Sequence, residues 1–225
     1  MTAALHLKEG LTRYIEVAKG KLTANSDVSE GGLGFNVSLT EGQITGWFYD
    51  QALNRDRLVK FVSGRRVLDV CSYVGAWGVR AAAAGADRVT CIDTSEQALE
   101  RVEFNARLND VAERVFVGQG DAFSVLRQLK ADGERFDLVV LDPPAFVKRR
   151  KDLKTGACAY RRLNKAALGL LEKDSLLVTA SCSFHMASDS LLRLVQQAAR
   201  HSDRHLQVLE QGHQGLDHPI HPAIP

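Results

Sequence analysis

Residues 66–78 read RVLDVCSYVGAWG, a short apolar run that breaks into small residues and glycines. The run Val67–Val70 is rich in aliphatic and β-branched residues, which is typical of a strand buried on both faces. The alanine-rich segment that follows Gly78 favours a helix. A strand, a glycine-containing turn and a helix in this order leave backbone N–H groups pointing at one spot, which suits the polar end of a nucleotide-like ligand. The turn lacks the G-x-G-x-x-G order of a dinucleotide-binding site.

The composition favours one sizeable domain without a strong overall charge. The chain has 225 residues, 45% of them hydrophobic, and a formal net charge of +2. A nucleic-acid partner would therefore have to be met by a local basic patch. No C-x-x-C pair occurs among the cysteines, which favours reduced thiols in a cytoplasmic protein over disulfides or a metal site. No stretch is long enough to cross a bilayer, so no membrane partner is expected.

From Arg66 onward, strand-like and helix-like segments alternate. This order predicts parallel βαβ units, and hence an α/β fold with a doubly wound, mostly parallel sheet and helices on both faces. Thr94 and Gln97 have the spacing of a helix capping box. The predicted strands are residues 66–70, 89–93, 114–119, 136–141, 175–179 and 206–210.

The segment before this alternation is predicted to be a small β-rich extension. We assign residues 1–41 to the remnant of a small module with a β-hairpin, and residues 42–225 to the main domain. Leu33–Leu39 alternates apolar and polar residues, which predicts one hairpin arm. Tyr14–Val17 is a candidate strand, and Asn25–Asp27 is expected to be a turn.

Each of the first five predicted strands ends at or near a residue that can do chemistry. They are Asp69, Asp93, Asp121, Asp142 and Cys182. Ligands of open α/β sheets bind beyond the carboxyl ends of the strands. A single Asp at such a place is more often a helix N-cap, and capping alone explains Asp121 well. Four on one edge are harder to explain by capping, and Asp93 stands where a carboxylate takes both hydroxyls of a ribose.

Taken together, these segments resemble the motif series of class I S-adenosylmethionine-dependent methyltransferases. The finer resemblance is to the RlmI-like large-subunit ribosomal RNA cytosine-5 methyltransferases, and it covers about residue 30 to the end. The segments that carry it are Thr45–Gln51 with Asn54-Arg55, Asp69–Gly78, Asp93-Thr94, Gly120–Ala122, Leu141–Phe146 with Lys148–Leu153, Ser181–Ser183 and Asp217–Ala223.

The resemblance implies a Rossmann-like fold, S-adenosylmethionine as cofactor and RNA, large-subunit ribosomal RNA above all, as partner. Asp93 would then bind the ribose, Asp121 the adenine amine and the Ser72–Gly75 turn the methionine end. Gln51 and Arg55 would close over the cofactor. The full set of implied cofactor residues is Gln51, Arg55, Asp69, Cys71, Ser72, Tyr73, Gly75, Asp93, Thr94, Asp121 and Ala122.

The sequence departs from that family at both ends. Nothing before Leu33 resembles the small RNA-binding PUA domain with which members begin, and the chain stops where their last strand would follow. We therefore expect a sheet of six strands with a gap or an unprotected edge. The oligomeric state is left open between monomer and homodimer.

The resemblance also implies a catalytic pair, Cys182 and Asp142. Carbon 5 of cytosine is a poor nucleophile, and a thiolate added to carbon 6 would activate it. Asp142 would hold the N3–N4 edge of the base. The basic residues Lys148, Arg149 and Arg150 follow directly, and we expect them to contact phosphates and to lower the pKa of the thiol. Pro143 and Phe146 complete the expected substrate site.

Several alternatives stay open at this point. Phe146 either stacks on a target base or packs in the core, and the basic run is either a phosphate site or a solvated loop. Cys182 is either a nucleophile or a buried thiol at a strand end. The chain is therefore a cytosine-5 methyltransferase, a methyltransferase on another RNA atom such as guanine N7 or an exocyclic nitrogen, or a non-catalytic cofactor- or RNA-binding module.

Overall fold

The computed structural model describes residues 25–39, 46–215 and 218. The first element is an antiparallel hairpin of β1 (Asn25–Glu30) and β2 (Leu33–Ser38). Its turn is Gly31-Gly32, with φ of 60° and 79°, values that glycine adopts without strain. The hairpin arm is confirmed, whereas the turn expected at Asn25–Asp27 is wrong, because these polar residues pair with β2 as part of a strand.

The main sheet has five parallel strands in the part of the chain that the structure describes. They are β3 (Arg66–Val70), β4 (Arg88–Asp93), β5 (Val115–Gln119), β6 (Phe136–Leu141) and β7 (Leu171–Thr179). Their order is β5-β4-β3-β6-β7. The strand order therefore reverses between β3 and β6, and a ligand crevice is expected above that reversal. The predicted doubly wound parallel sheet is confirmed.

Helices cover both faces of this sheet. They are α1 (Ala52–Leu58), α2 (Ala76–Ala83), α3 (Glu96–Leu108), α4 (Ala122–Ala131), α5 (Leu153–Leu168) and α6 (Ser188–Arg200). Side chains alternate along β3, so Val67 joins a core with α2, α3 and the hairpin, while Leu68 joins a second core with α4, α5 and α6. The sheet is thus packed between two apolar cores, one on each face.

Two further expectations are wrong. Leu206–Glu210 forms no strand, and its apolar side chains are exposed. A strand needs a partner edge, and the chain here bonds to α1 instead, through Arg57 to the carbonyl of Gln211 and Asn54 to that of His213. The sheet thus has five strands, not six, within residues 46–215.

The cap of α3 is Ser95 rather than Thr94, because the Ser95 side chain accepts the N–H of Ala98. The candidate strand at Tyr14–Val17 lies outside the described residues, as does the motif Asp217–Ala223 apart from His218. No helix among the described residues is long and apolar enough to span a membrane.

Candidate active site

The loop after β3 is strained. Cys71 and Tyr73 have φ of 65° and 51°, and Gly75 has φ of 85°. A left-handed conformation costs a non-glycine residue about 1–3 kcal/mol, and such strain is concentrated at ligand sites. The loop is held by the N–H of Ser72, which donates to the carbonyl of Ile92 at 3.0 Å. The hydroxyl of Ser72 is buried and has no partner in the described part of the chain.

Asp69 anchors the helix that follows this loop. Its Oδ2 accepts the N–H of Gly78 at 2.9 Å, and a Cβ at position 78 would overlap Sγ of Cys91. Burial, and then the charge of Asp142, raises the pKa of the Asp69 carboxyl to about 8. The contact of Asp69 with Gly78 makes it a support of the loop and of α2. Its Oδ1 is buried without a hydrogen-bond partner in the described residues.

Asp93 joins the end of β4 to the same loop. Its Oδ2 accepts the N–H of Tyr73 at 2.9 Å, and its Oδ1 accepts the N–H of Ser95 at 3.0 Å. Each carboxylate oxygen keeps a further lone pair, so ribose hydroxyls could still donate to it. Asp121 caps α4 through the N–H of Ser124 at 3.1 Å, which agrees with the capping interpretation.

Asp142 lies where β6 ends, across the strand reversal from the Asp69 loop. The indole N–H of Trp77 donates to its Oδ2 at 3.0 Å. Burial raises the pKa of Asp142, Asp50 adds to this effect, and the hydrogen bond from Trp77 and the charge of Arg55 oppose it. The carboxyl is therefore easier to protonate than an ordinary aspartate.

Cys182 follows the end of β7 and approaches the Asp142 motif. Its Sγ lies 3.6 Å from the carbonyl oxygen of Pro143, and its side chain is exposed. Although the residue is exposed, the surrounding protein shields its sulfur from part of the solvent, and this desolvation, followed by the charge of Asp142, raises the pKa of the thiol. The expectation that the basic loop lowers this pKa is wrong, because the nearer charges are the carboxylates of Asp142 and Asp50.

The two serines that flank Cys182 share one buried partner. Tyr160 of α5 is fully buried, and its hydroxyl lies 2.8 Å from Oγ of Ser181 and 2.9 Å from Oγ of Ser183. Ser183 also accepts the N–H of Val147 at 3.1 Å. These hydroxyls tie the Cys182 loop to the loop after β6, which gives the Ser-Cys-Ser pattern a structural role that the sequence did not reveal.

Three expected site residues make contacts within the protein. The ring of Phe146 packs edge-on against Tyr160, with centroids 4.8 Å apart, which agrees with its core-packing alternative. Arg55 is 1% exposed and forms a two-pronged ion pair with Glu30 at 2.6 and 2.7 Å. Gln51 accepts the side-chain N–H of Asn54 at 2.8 Å.

The basic run after β6 lies on the surface. Lys148, Arg149 and Arg150 are exposed, and Arg149 pairs with Asp152 at 3.0 Å. Val147, directly before them, donates its N–H to Ser183, and this contact places the run at the carboxyl edge of the sheet, on the side of Cys182. The placement is compatible with the expected phosphate contacts, which stay a prediction.

The residues around the loop fit an S-adenosylmethionine molecule. A strained backbone, the unpartnered buried hydroxyl of Ser72 and the spare lone pairs of Asp93 are groups that a polar ligand would satisfy. Thr94 and Ala122 follow the two strand ends at β4 and β5. The residues that would hold the cofactor are thus the loop 71–75 with Asp93, and Asp121 at its far end.

The family model for S-adenosylmethionine-dependent methyltransferases matches residues 12–219. The chain belongs to this family. It is 37% identical over 221 residues to the ribosomal RNA large subunit methyltransferase I of Shewanella frigidimarina, which covers 97% of this chain and 55% of that protein. The protein of the same name from Shigella boydii is 35% identical over 226 residues, covering 99% and 57%. The chain spans about half the length of the curated relatives it matches.

Solved structures support the fold. The SMU.776 methyltransferase candidate, solved in complex with SAH, superposes with a TM-score of 0.72 at 22% identity, covering 81% of this chain and 48% of that chain. A SAM-dependent methyltransferase from Agrobacterium tumefaciens gives 0.69 at 22% identity, covering 83% and 62%. The cofactor of the family is S-adenosylmethionine.

Proposed function

We propose that this protein methylates carbon 5 of a cytosine in large-subunit ribosomal RNA, with Cys182 as nucleophile and Asp142 as the acid that holds the base. The observation that carries the proposal is the meeting of two strand ends: Sγ of Cys182 lies 3.6 Å from the carbonyl of Pro143, directly after Asp142. The substrate class follows from relatives named as large-subunit ribosomal RNA methyltransferases.

The chemistry needs both side chains. The Cys182 thiolate adds to carbon 6, forming a C–S bond and moving electron density to carbon 5, while Asp142 gives a proton to N3. When bound, S-adenosylmethionine would supply the methyl group that carbon 5 takes up and would leave as S-adenosylhomocysteine. A general base then removes the carbon-5 proton, N3 returns its proton to Asp142, and the electron pair of the breaking C–S bond returns to the sulfur, which leaves as the thiolate. The target cytosine can reach Cys182 only when it has left the stack of neighbouring nucleobases, which favours a loop or junction in the RNA.

Because the pKa of Cys182 is raised, the thiol must lose its proton to a neighbouring group before it can attack. The Asp142 carboxylate accepts the proton that the thiol loses and then gives it to N3, so the pair carries the same total charge before and after the proton leaves the thiol. The Cys182–Asp142 pair can therefore react without a lysine or arginine beside the thiol.

The same observation supports a second candidate. A thiol with a raised pKa is a weak nucleophile until it loses its proton. If Cys182 stays neutral, the Asp142 motif would position a nitrogen nucleophile, such as guanine N7 or an exocyclic amine. Identification of the methylated nucleoside in a digest of large-subunit ribosomal RNA treated with the protein separates the two candidates.

The decisive variants are Cys182→Ala and Asp93→Ala. We expect Cys182→Ala to bind S-adenosylmethionine normally in calorimetry and to lose methyl transfer, because only the nucleophile is removed. RNA containing 5-fluorocytosine should form a covalent complex with the wild-type protein and none with Cys182→Ala. We expect Asp93→Ala to lose cofactor binding, because the ribose hydroxyls lose a charged acceptor. Methyl transfer by Cys182→Ala would rule out the cysteine mechanism.

A further inference from the structure

Trp77 makes a contact that the proposed chemistry does not explain by itself. It stands on α2, is 3% exposed, and donates its indole N–H to Oδ2 of Asp142 at 3.0 Å. An indole nitrogen is a donor only, so this bond requires Oδ2 to act as an acceptor. The other oxygen, Oδ1, makes no hydrogen bond with the described part of the chain, and the residue is partly exposed.

The indole itself is held firmly. The guanidinium of Arg55 lies 5.8 Å from the centroid of the Trp77 ring, and Arg55 is fixed in turn by its two bonds to Glu30. A donor anchored in this way keeps one direction, so it can distinguish the two oxygens of a carboxyl group.

We propose that Trp77 is a positioning residue that decides which oxygen of Asp142 carries the proton, and that it thereby makes the site specific for cytosine over uracil. This inference rests on the proposed function of Asp142. When Asp142 is protonated, the bond from Trp77 keeps Oδ2 as the carbonyl-type acceptor and places the proton on Oδ1. The acid then presents one donor and one acceptor in a fixed order.

That order matches one base only. Cytosine offers an acceptor at N3 and a donor at its exocyclic amine, so Oδ1–H donates to N3 while Oδ2 accepts from the amine with its second lone pair. Uracil offers a donor at N3 and an acceptor at O4. Its pairing requires the opposite order, with the proton on Oδ2, where the indole N–H opposes it.

The test compares Trp77→Phe with Trp47→Phe. Trp47 is a matched control, because its indole N–H also donates to a carboxylate, that of Glu30 at 2.8 Å, and its ring also lies under Arg55, at 5.0 Å. Two transcripts are needed: a large-subunit ribosomal RNA fragment with the cytosine identified in the digest, and the same fragment with uridine there. Each transcript, unlabelled, competes with labelled cytosine transcript for binding to the 225-residue protein in the presence of SAH.

We expect wild-type protein and Trp47→Phe to prefer the cytosine transcript by on the order of tenfold. In Trp77→Phe the preference should fall to about twofold or less, because either proton order becomes accessible. If Trp77→Phe only perturbed the fold, the affinities for both transcripts would fall alike and the ratio of the two affinities would not change. A wild-type ratio in Trp77→Phe therefore overturns the proposal.

A second variant decides the matter if Trp77→Phe does not bind SAH. In Asp142→Asn the side-chain amide has one donor, its nitrogen, and one acceptor, its oxygen. We expect the amide oxygen to face the indole N–H of Trp77, which leaves the nitrogen to face N3 of the base. We expect this variant, in which Trp77 is unchanged, to keep the cytosine preference. Loss of the preference in Asp142→Asn alone overturns the proposal. If wild-type protein forms no 5-methylcytosine, the proposed function fails first, and this digest distinguishes the two failures.

Discussion

Burial and the Asp142 carboxylate act on Cys182 in the same direction, since both raise the pKa of the thiol. Asp142→Asn removes the charge and should lower that pKa, so the thiolate fraction rises. We expect iodoacetamide to alkylate Cys182 roughly threefold faster in this variant at pH 8. Mass spectrometry of the peptide that contains Cys182 measures the rate.

Cys158 provides the control within the same molecule. It is also exposed, and it lies on α5, so its alkylation rate should not change in Asp142→Asn. An unchanged rate at Cys182 would mean that the Asp142 charge does not reach the sulfur.

The residue-level electrostatics could not be predicted from sequence order. Lys148–Arg150 lie within eight residues of Asp142 in the chain, which made a positive field at Cys182 a reasonable expectation. In three dimensions Arg149 bonds to Asp152, and the thiol faces Asp142 and Asp50. The same holds for Trp77 and Tyr160, whose roles depend on atoms from other strands and helices and leave no local signal.

At the scale of elements, the largely buried carboxylate of Glu30 joins the hairpin to two helices. Glu30, at the end of β1, bonds to Arg55 of α1 and to Arg80 of α2, which also pairs with Asp56. In Glu30→Gln the two guanidinium groups lose their buried counter-charge. We expect a loss of about 3 kcal/mol in the free energy of unfolding, measured by urea denaturation.

The matched control is Glu134→Gln, which breaks an exposed pair with Arg66. Both side chains of that pair are more than 40% exposed, so the cost should stay below about 1 kcal/mol. Equal losses in the two variants would mean that the Glu30 network does not stabilise the fold.

The Glu30 network also predicts a pH dependence. Burial opposes ionisation, but hydrogen bonds from Arg55, Trp47 and Arg80 hold the pKa of Glu30 below its ordinary value of 4.5. A depressed pKa stabilises the folded state fully above 4.5, and this contribution is lost as the pH falls through the folded pKa. The difference between wild-type protein and Glu30→Gln should therefore shrink below pH 4.5.

Elements whose own residues specify them could be predicted. The three inner sheet strands, β3, β4 and β6, each carry the apolar run that two covered faces require, and the aspartates at their ends follow from the parallel order. β1 has the polar sequence NSDVSE and is a strand only because β2 pairs with it. Leu206–Glu210 is the opposite case: its composition favours a strand, but it is not one, because no described strand pairs with it.

At the scale of the whole molecule, the charge is too small to attract RNA by itself. With a net charge of only +2, electrostatic attraction of RNA would require a local basic patch. Lys148–Arg150 form such a patch at the carboxyl edge of the sheet, where the candidate active site lies. If these residues contact phosphates, charge reversal there removes the contacts, whereas reversal at the opposite edge of the sheet changes only the net charge. Comparing the two reversals therefore distinguishes direct contacts of RNA with the basic run from attraction of RNA by the net charge of the protein.

The double variant Arg149→Glu/Arg150→Glu should weaken RNA binding and flatten its dependence on salt, because each lost phosphate contact lowers the slope of log K against log[salt] by about 0.7–0.9. The control is Arg107→Glu/Arg114→Glu, which changes the net charge equally at the end of α3 and the start of β5 and exposes no site residue. Filter binding at several salt concentrations gives both slopes. Cofactor affinity should not change in either variant, since neither pair touches the loop 71–75. Equal slopes in the two double variants would show that the basic run is a solvated loop and that RNA approaches the site from another side.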